Sequence, residues 1–117
     1  PNPNPNPNPN PHPHPKPNPK PAVHRDQGFR TLAQRLRLGA RDVFADLGSG
    51  HGKAVVQAVA EMGVRAGVGL EIAPPRHERA VELRATLPAA EAARLTFVLG
   101  DCADAAIWAT APLAEAT

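Results

Sequence analysis

Three short, near-continuous apolar runs punctuate the chain, and stretches with helical spacing lie between them. The runs are Asp42-Val43-Phe44-Ala45, Ala66-Gly67-Val68-Gly69-Leu70 and Leu95-Thr96-Phe97-Val98-Leu99. Each has the length of a strand, and continuity rather than alternation predicts strands buried on both faces. Ahead of the first run, Phe29, Leu32, Ala33 and Leu36 recur at helical spacing, with Arg30, Gln34, Arg35 and Arg37 turned away and Gly39 as the stop. Between the first two runs, Val55, Val59 and Met62 form one apolar stripe on a helix from Ala54 to Met62, ended by Gly63. Between the second and third, Pro74-Pro75 opens a helix, because proline is tolerated in a first turn. Its buried face is Ala80, Leu83 and Leu87, and Pro88 ends it. The Ala-rich stretch from Cys102 to Thr117 predicts a helix start around Trp108, whose indole is either core or exposed surface.

Strand and helix therefore alternate as β-α-β-α-β, which predicts an α/β fold with a parallel sheet and right-handed helical crossovers. Ligands of such sheets bind outside the carboxyl ends of the strands. The residues at the three ends are Asp46, Glu71 and Gly100-Asp101, so each end carries an acid.

Residues 1–21 stand apart from this pattern. Proline occupies every odd position, with Asn, His or Lys between. Such a run has few backbone donors and has φ set at alternate residues, so the expectation is an extended, polyproline-like or disordered tail. It reads as a spacer, as a ligand for a proline-recognising module, or as low-complexity sequence with no partner. Residues 22–117 are then one small domain. Of 13 Lys and Arg, Lys16 and Lys20 lie in the tail, and the remainder balance the 11 Asp and Glu. The pI near 9.3 thus carries no nucleic-acid footprint in the domain. A lone cysteine, Cys102, excludes an internal disulfide and a cysteine-based zinc site, and no metal site is expected. No apolar run is long enough to cross a membrane, and a soluble intracellular protein is the expectation.

The chemistry concentrates in Asp46-Leu47-Gly48-Ser49-Gly50-His51-Gly52-Lys53, a glycine-rich turn between the first strand and a helix N-terminus. Glycines let the main chain approach a ligand closely, and helix-start N–H groups attract a negative group. A phosphate loop of the Walker type needs four residues between Gly and Gly-Lys and then Ser or Thr; here there are three, followed by Ala54. A dinucleotide fingerprint wants G-x-G-x-x-G, whereas Gly48, Gly50 and Gly52 give G-x-G-x-G, although Glu71 stands near the distance expected of a ribose-binding acid.

Asp46-Leu47-Gly48-Ser49-Gly50-His51-Gly52 resembles motif I of the class I S-adenosylmethionine-dependent methyltransferases. With Val56-Gln57, Gly69-Leu70-Glu71-Ile72 and Arg79-Ala80 added, it is similar to the DOT family of histone lysine methyltransferases, over residues 29–108. Lys53 departs from the Gln or Asn common in that family. The resemblance implies a Rossmann-like three-layer class I methyltransferase fold, truncated after the third parallel strand, with S-adenosylmethionine as cofactor. Asp46 would attract the cofactor's ammonium, and Gly48, Gly50 and the helix start would take its carboxylate. Glu71 would accept both ribose hydroxyls, Asp101 the adenine amine, and the Cys102 N–H would donate to the ring; Ser49, Gly52 and Lys53 complete the set. The plain readings are that Asp101 is a helix cap, Cys102 a small packing residue, His51 and Lys53 loop surface, and Gln57 either loop support or plain surface. The family's fourth strand pairs alongside the first, and an Asn-containing acceptor-side motif follows it. Neither lies in these residues, so no catalytic residue is assigned and the first strand is expected to show an open edge. The implied acceptor is a protein, a histone or nucleosome, which places the protein in the nucleus as a chromatin regulator. A non-catalytic cofactor-binding remnant or interaction module is the alternative, and a nicotinamide-dependent oxidoreductase the third.

Overall fold

The computed structural model describes residues 26–109 and 113–116; the Pro-Asn tail of residues 1–21 lies outside the described residues. The elements are α1 (Gln27–Leu36), β1 (Val43–Leu47), α2 (Lys53–Ala60), β2 (Ala66–Glu71), α3 (Pro74–Ala85), α4 (Ala89–Ala92), β3 (Leu95–Leu99), α5 (Ala105–Trp108) and a 3-10 turn, Leu113–Glu115. The three strands form one parallel sheet in the order β1-β2-β3. Asp46 sits opposite Gly69, and Glu71 opposite Leu99, so the acidic strand ends emerge at one edge of the sheet.

Two apolar clusters hold the sheet, one on each face. Val55, Val56, Ala58 and Val59 of α2 pack with Val64 and Leu95, flanked by Phe29, Phe44, Leu83, Leu87 and Phe97. On the other face Val43, Val68 and Leu70 meet Leu113, with Val98 and Ile107 beside them. Helices above, sheet, and α5 with its following turn below give the expected three layers. Only β2, paired on both sides, is buried along nearly its whole length; β1 and β3, each with one paired neighbour among the described residues, expose Leu47 and Leu99. Burial on both faces is therefore a property of the central strand and not of all three.

Two helices differ from expectation, in opposite ways. On α1, Ala33 is buried and Phe29 rests edge-on against Phe44, with 5.4 Å between ring centroids. Leu32 and Leu36, expected on the buried face, are 53% and 62% exposed. The helix meets the rest of the protein along one edge only: Phe29 reaches Phe44 of β1, and Arg30 makes two bonds of 3.2 Å to Glu61 at the end of α2. α2, with the sheet on one side and bonds to Asp26 and Arg30 on the other, is buried across Val55–Val59 and not along one stripe. The third helix stops at Ala85, short of the end expected at Pro88, and Pro88 caps a separate short α4 that the sequence pattern does not predict.

Candidate functional site

β1 passes to α2 through a turn that three glycines make possible. Gly48, Gly50 and Gly52 have φ of 75°, 56° and 82°, the left-handed region that L side chains avoid. The turn is tied to the neighbouring strand. Gly48 and Ser49 N–H both donate to the Leu70 carbonyl (2.8 and 3.0 Å), and Gly52 N–H donates to the Ser49 carbonyl (2.9 Å). Gly50 N–H donates to Glu71 Oε2 at 2.8 Å. The N–H groups of Gly48 and Gly50, expected to meet a ligand's carboxylate, are thus engaged inside the protein. The first intrahelical bond of α2 runs from Val56 N–H to the Gly52 carbonyl (3.0 Å). Of the N–H groups that precede it, that of Val55 is buried, and those of Lys53 and Ala54 are the helix-start donors toward a negative group.

The glycines serve different ends. A Cβ built on Gly48 or Gly50 would meet nothing within 4 Å, so these two keep an open space in front of the turn. A Cβ on Gly52 would lie 2.6 Å from the Phe97 ring and 3.2 Å from Ala80 Cβ, so Gly52 is required by internal packing. Ser49 is turned inward as well. Its Oγ lies 2.6 Å from where a Gly69 Cβ would stand, and it has no hydrogen-bond partner among the described residues. Lys53 is exposed.

Glu71 is the best-defined group of the site. It is 3% exposed, yet its carboxylate is held by two backbone donors, Gly50 N–H on Oε2 (2.8 Å) and Ala73 N–H on Oε1 (3.2 Å). Arg76 Nε lies 3.2 Å from Oε1. The Gly50 bond first, then that of Ala73 and the charges of Arg76 and His51, hold Glu71 below the ordinary glutamate range against the opposing effect of burial. Asp46, on the adjacent strand end, goes the other way: desolvation, then the charge of Glu71, raise its pKa. Two carboxylates one strand apart therefore share the carboxyl edge, Glu71 firmly ionised and Asp46 under tension. Around them Leu47, Ile72 and Leu99 are exposed and form an apolar rim.

Asp101 and Cys102 lie beyond β3, both exposed. Asp101 Oδ1 accepts from Ala103 N–H (2.9 Å), which closes a local turn; the cap of α5 is Asp104, accepting from Ala106 N–H (3.0 Å). The cap expected at Asp101 is thus made three residues later. Cys102 is not a packing residue, and its carbonyl accepts from Trp108 Nε1 (2.9 Å). Trp108 is exposed while Ile107 packs.

Sequence reasoning missed two features. Arg76, in the first turn of α3, carries no signal beyond its charge. Gln57 is neither loop support nor surface: 2% exposed, it bonds the Asp26 backbone N–H through Oε1 and the Asp26 carbonyl through Nε2, each at 3.1 Å. Asp26 in turn caps α1, accepting from Gly28 N–H at 2.8 Å. Asp26, Lys53, Ala54 and Gln57 line a groove of about 410 Å³ beside the start of α2. The described residues contain no cluster able to hold a metal ion and no helix long and apolar enough to cross a membrane.

Residues 26–89 match the family model described as "Histone methylation protein DOT1". No curated protein matches the chain. Among solved structures, an RNA methyltransferase of Salinibacter ruber in complex with S-adenosylhomocysteine is 36% identical, with 74% of this chain and 50% of that one covered and a TM-score of 0.53. A methyltransferase of Thiobacillus denitrificans, also with S-adenosylhomocysteine, is 31% identical over 64% of this chain and 29% of its own, with a TM-score of 0.56. YjhP of E. coli shares the fold at 22% identity and a TM-score of 0.57, covering 68% of this chain and 31% of that one. The chain thus spans about a third of YjhP and half of the Salinibacter protein.

Proposed function

Since the chain belongs to the family of the histone methylation protein DOT1, we propose that it binds S-adenosylmethionine and provides the cofactor side of a methyltransferase acting on a protein. The fold is the Rossmann-like α/β fold of class I methyltransferases, with three parallel strands among the described residues. The observation that carries the reading is Glu71: a buried carboxylate kept ionised at a strand end, beside the open faces of Gly48 and Gly50.

The residues present fit this cofactor. Glu71 offers charged acceptors to the ribose hydroxyls. Asp46, poorly compensated by its own surroundings, would gain from an ammonium ion. The Lys53 and Ala54 N–H groups and the positive end of α2 suit a carboxylate. The exposed side chains of Leu47, Ile72 and Leu99 offer apolar surface to an adenine ring, with Asp101 at its edge. Gly52 and Ser49 act from behind, by shaping the turn. When bound, S-adenosylmethionine supplies a methyl group made electrophilic by its sulfonium. The protein's task is to align the acceptor and exclude water.

The finer reading is a histone lysine as acceptor, in a nuclear protein acting on nucleosomes, and it rests on the family's description alone. The 36% identity to an RNA methyltransferase keeps RNA as the second acceptor. Calorimetric titration with S-adenosylhomocysteine and with NAD tests the cofactor: binding of the former in preference is expected, and NAD binding with no response to the former refutes it. Tritiated methyl transfer to nucleosomes, free histones and RNA tests the acceptor. Label on RNA alone removes the histone reading and leaves the cofactor.

A further inference from the structure

Glu71 is expected to accept both ribose hydroxyls, and a carboxylate has about four acceptor positions to offer. One position on Oε2 is taken by Gly50 N–H and one on Oε1 by Ala73 N–H. Both donors are backbone groups fixed by the turn and by the start of α3, so neither can leave. Each oxygen then has one position left. The approach to the one on Oε1 is crowded by Arg76, whose Nε lies 3.2 Å away. Unlike Arg30 on Glu61, which combines ion pair and aligned hydrogen bonds, Arg76 pairs with Glu71 by proximity of charge without hydrogen-bond alignment. Its side chain is 58% exposed, whereas that of Glu71 is 4% exposed. The guanidinium therefore approaches from the solvent side, the side from which a ligand must also come.

From this we infer that Arg76 is a displaceable occupant of the ribose-accepting carboxylate, one that competes with the cofactor and sets its affinity; the inference rests on the cofactor reading above. Two hydroxyls need two acceptor positions, and the second is open only when Arg76 swings off Oε1. The guanidinium has water to swing into, and an exposed, unaligned pair is weak and sensitive to salt. Displacement therefore costs little, but it is a cost that the free enzyme imposes on every binding event. With Arg76 absent, Glu71 keeps both backbone donors and accepts the ribose without prior exchange.

The test is titration of the whole chain and its Arg76→Ala and Arg76→Lys variants with S-adenosylhomocysteine, at low and high ionic strength, and with adenosine as a ligand that has the ribose but no charge. Arg76→Ala should bind both ligands about two- to fivefold more tightly, the range set by releasing an exposed ion pair. Added salt should tighten adenosine binding to the natural chain, by screening the competitor, and leave the Ala variant unchanged. Arg76→Lys should stay near the natural chain. Weaker binding by Arg76→Ala, or a salt response identical in the two, overturns the inference and makes Arg76 a support for the ribose or for Glu71. If no form binds S-adenosylhomocysteine or adenosine, the cofactor reading falls and this inference falls with it.

Discussion

Adding one methyl group to Gly52 should damage the fold more than adding it to Gly48, although both stand in the same turn with nearly the same φ, 82° and 75°. The strain of a left-handed L residue is common to both and costs roughly 1–2 kcal/mol. At Gly48 nothing further is met within 4 Å. At Gly52 the new Cβ lands 2.6 Å from two atoms of the Phe97 ring, with Ala80 Cβ at 3.2 Å. The ring is packed against the main cluster and cannot simply turn aside. Overpacking of this kind costs about 1–3 kcal/mol more. Gly52→Ala should therefore lose about 2–5 kcal/mol, a large share of the roughly 5–15 kcal/mol available to a domain. Urea unfolding followed by circular dichroism reads both variants. Phe97→Leu should couple with Gly52→Ala by about 1–2 kcal/mol in a double-mutant cycle and not with Gly48→Ala. Binding should rank the other way, since the Gly48 methyl enters the space kept for the ligand while the stability cost stays modest. Equal losses at the two glycines, or no coupling to Phe97, would refute the division of the turn into a packed side and an open side.

Other expectations follow from the same contacts. Glu71→Gln should weaken S-adenosylhomocysteine binding at least about tenfold by calorimetry, because a charged acceptor becomes a neutral one. The stability that ionised Glu71 contributes is full above the ordinary glutamate value of 4.5 and is lost as pH falls through its lower folded value; a Glu71→Gln variant should lack that part of the acid limb of its melting curve. Asp46→Asn should do the reverse: the raised pKa marks an ionised form that the fold disfavours, so at neutral pH the melting temperature should rise, and the gain should vanish as pH falls through Asp46's folded pKa toward the ordinary aspartate value of 3.8. A lower melting temperature at pH 7 would show that Asp46 is a structural anchor. Gln57→Ala should cost about 1–3 kcal/mol in urea unfolding, since the Asp26 backbone groups lose their partner, and hydrogen exchange in α1 should accelerate.

Much of this molecule is legible without coordinates. The three apolar runs become β1, β2 and β3 nearly to the residue, and the acids Asp46, Glu71 and Asp101 do stand at strand ends, because strand-forming runs and glycine turns are local signals. What sequence spacing does not contain is the surface that each face meets. Leu32 and Leu36 share a helical face with Phe29 and Ala33, but only the latter two meet the core, Phe29 against Phe44 of β1. Gln57 reads as an ordinary helix polar residue until Asp26, 31 residues earlier, is brought against it. Gly48, Gly50 and Gly52 look alike as letters. Only the Phe97 ring, arriving from another strand, makes the third a packing requirement, and only the Glu71 carboxylate, 21 residues on, takes up the N–H of the second. Backbone conformation is set by neighbours along the chain, whereas the use made of each side chain or N–H is set by whatever the fold places opposite it.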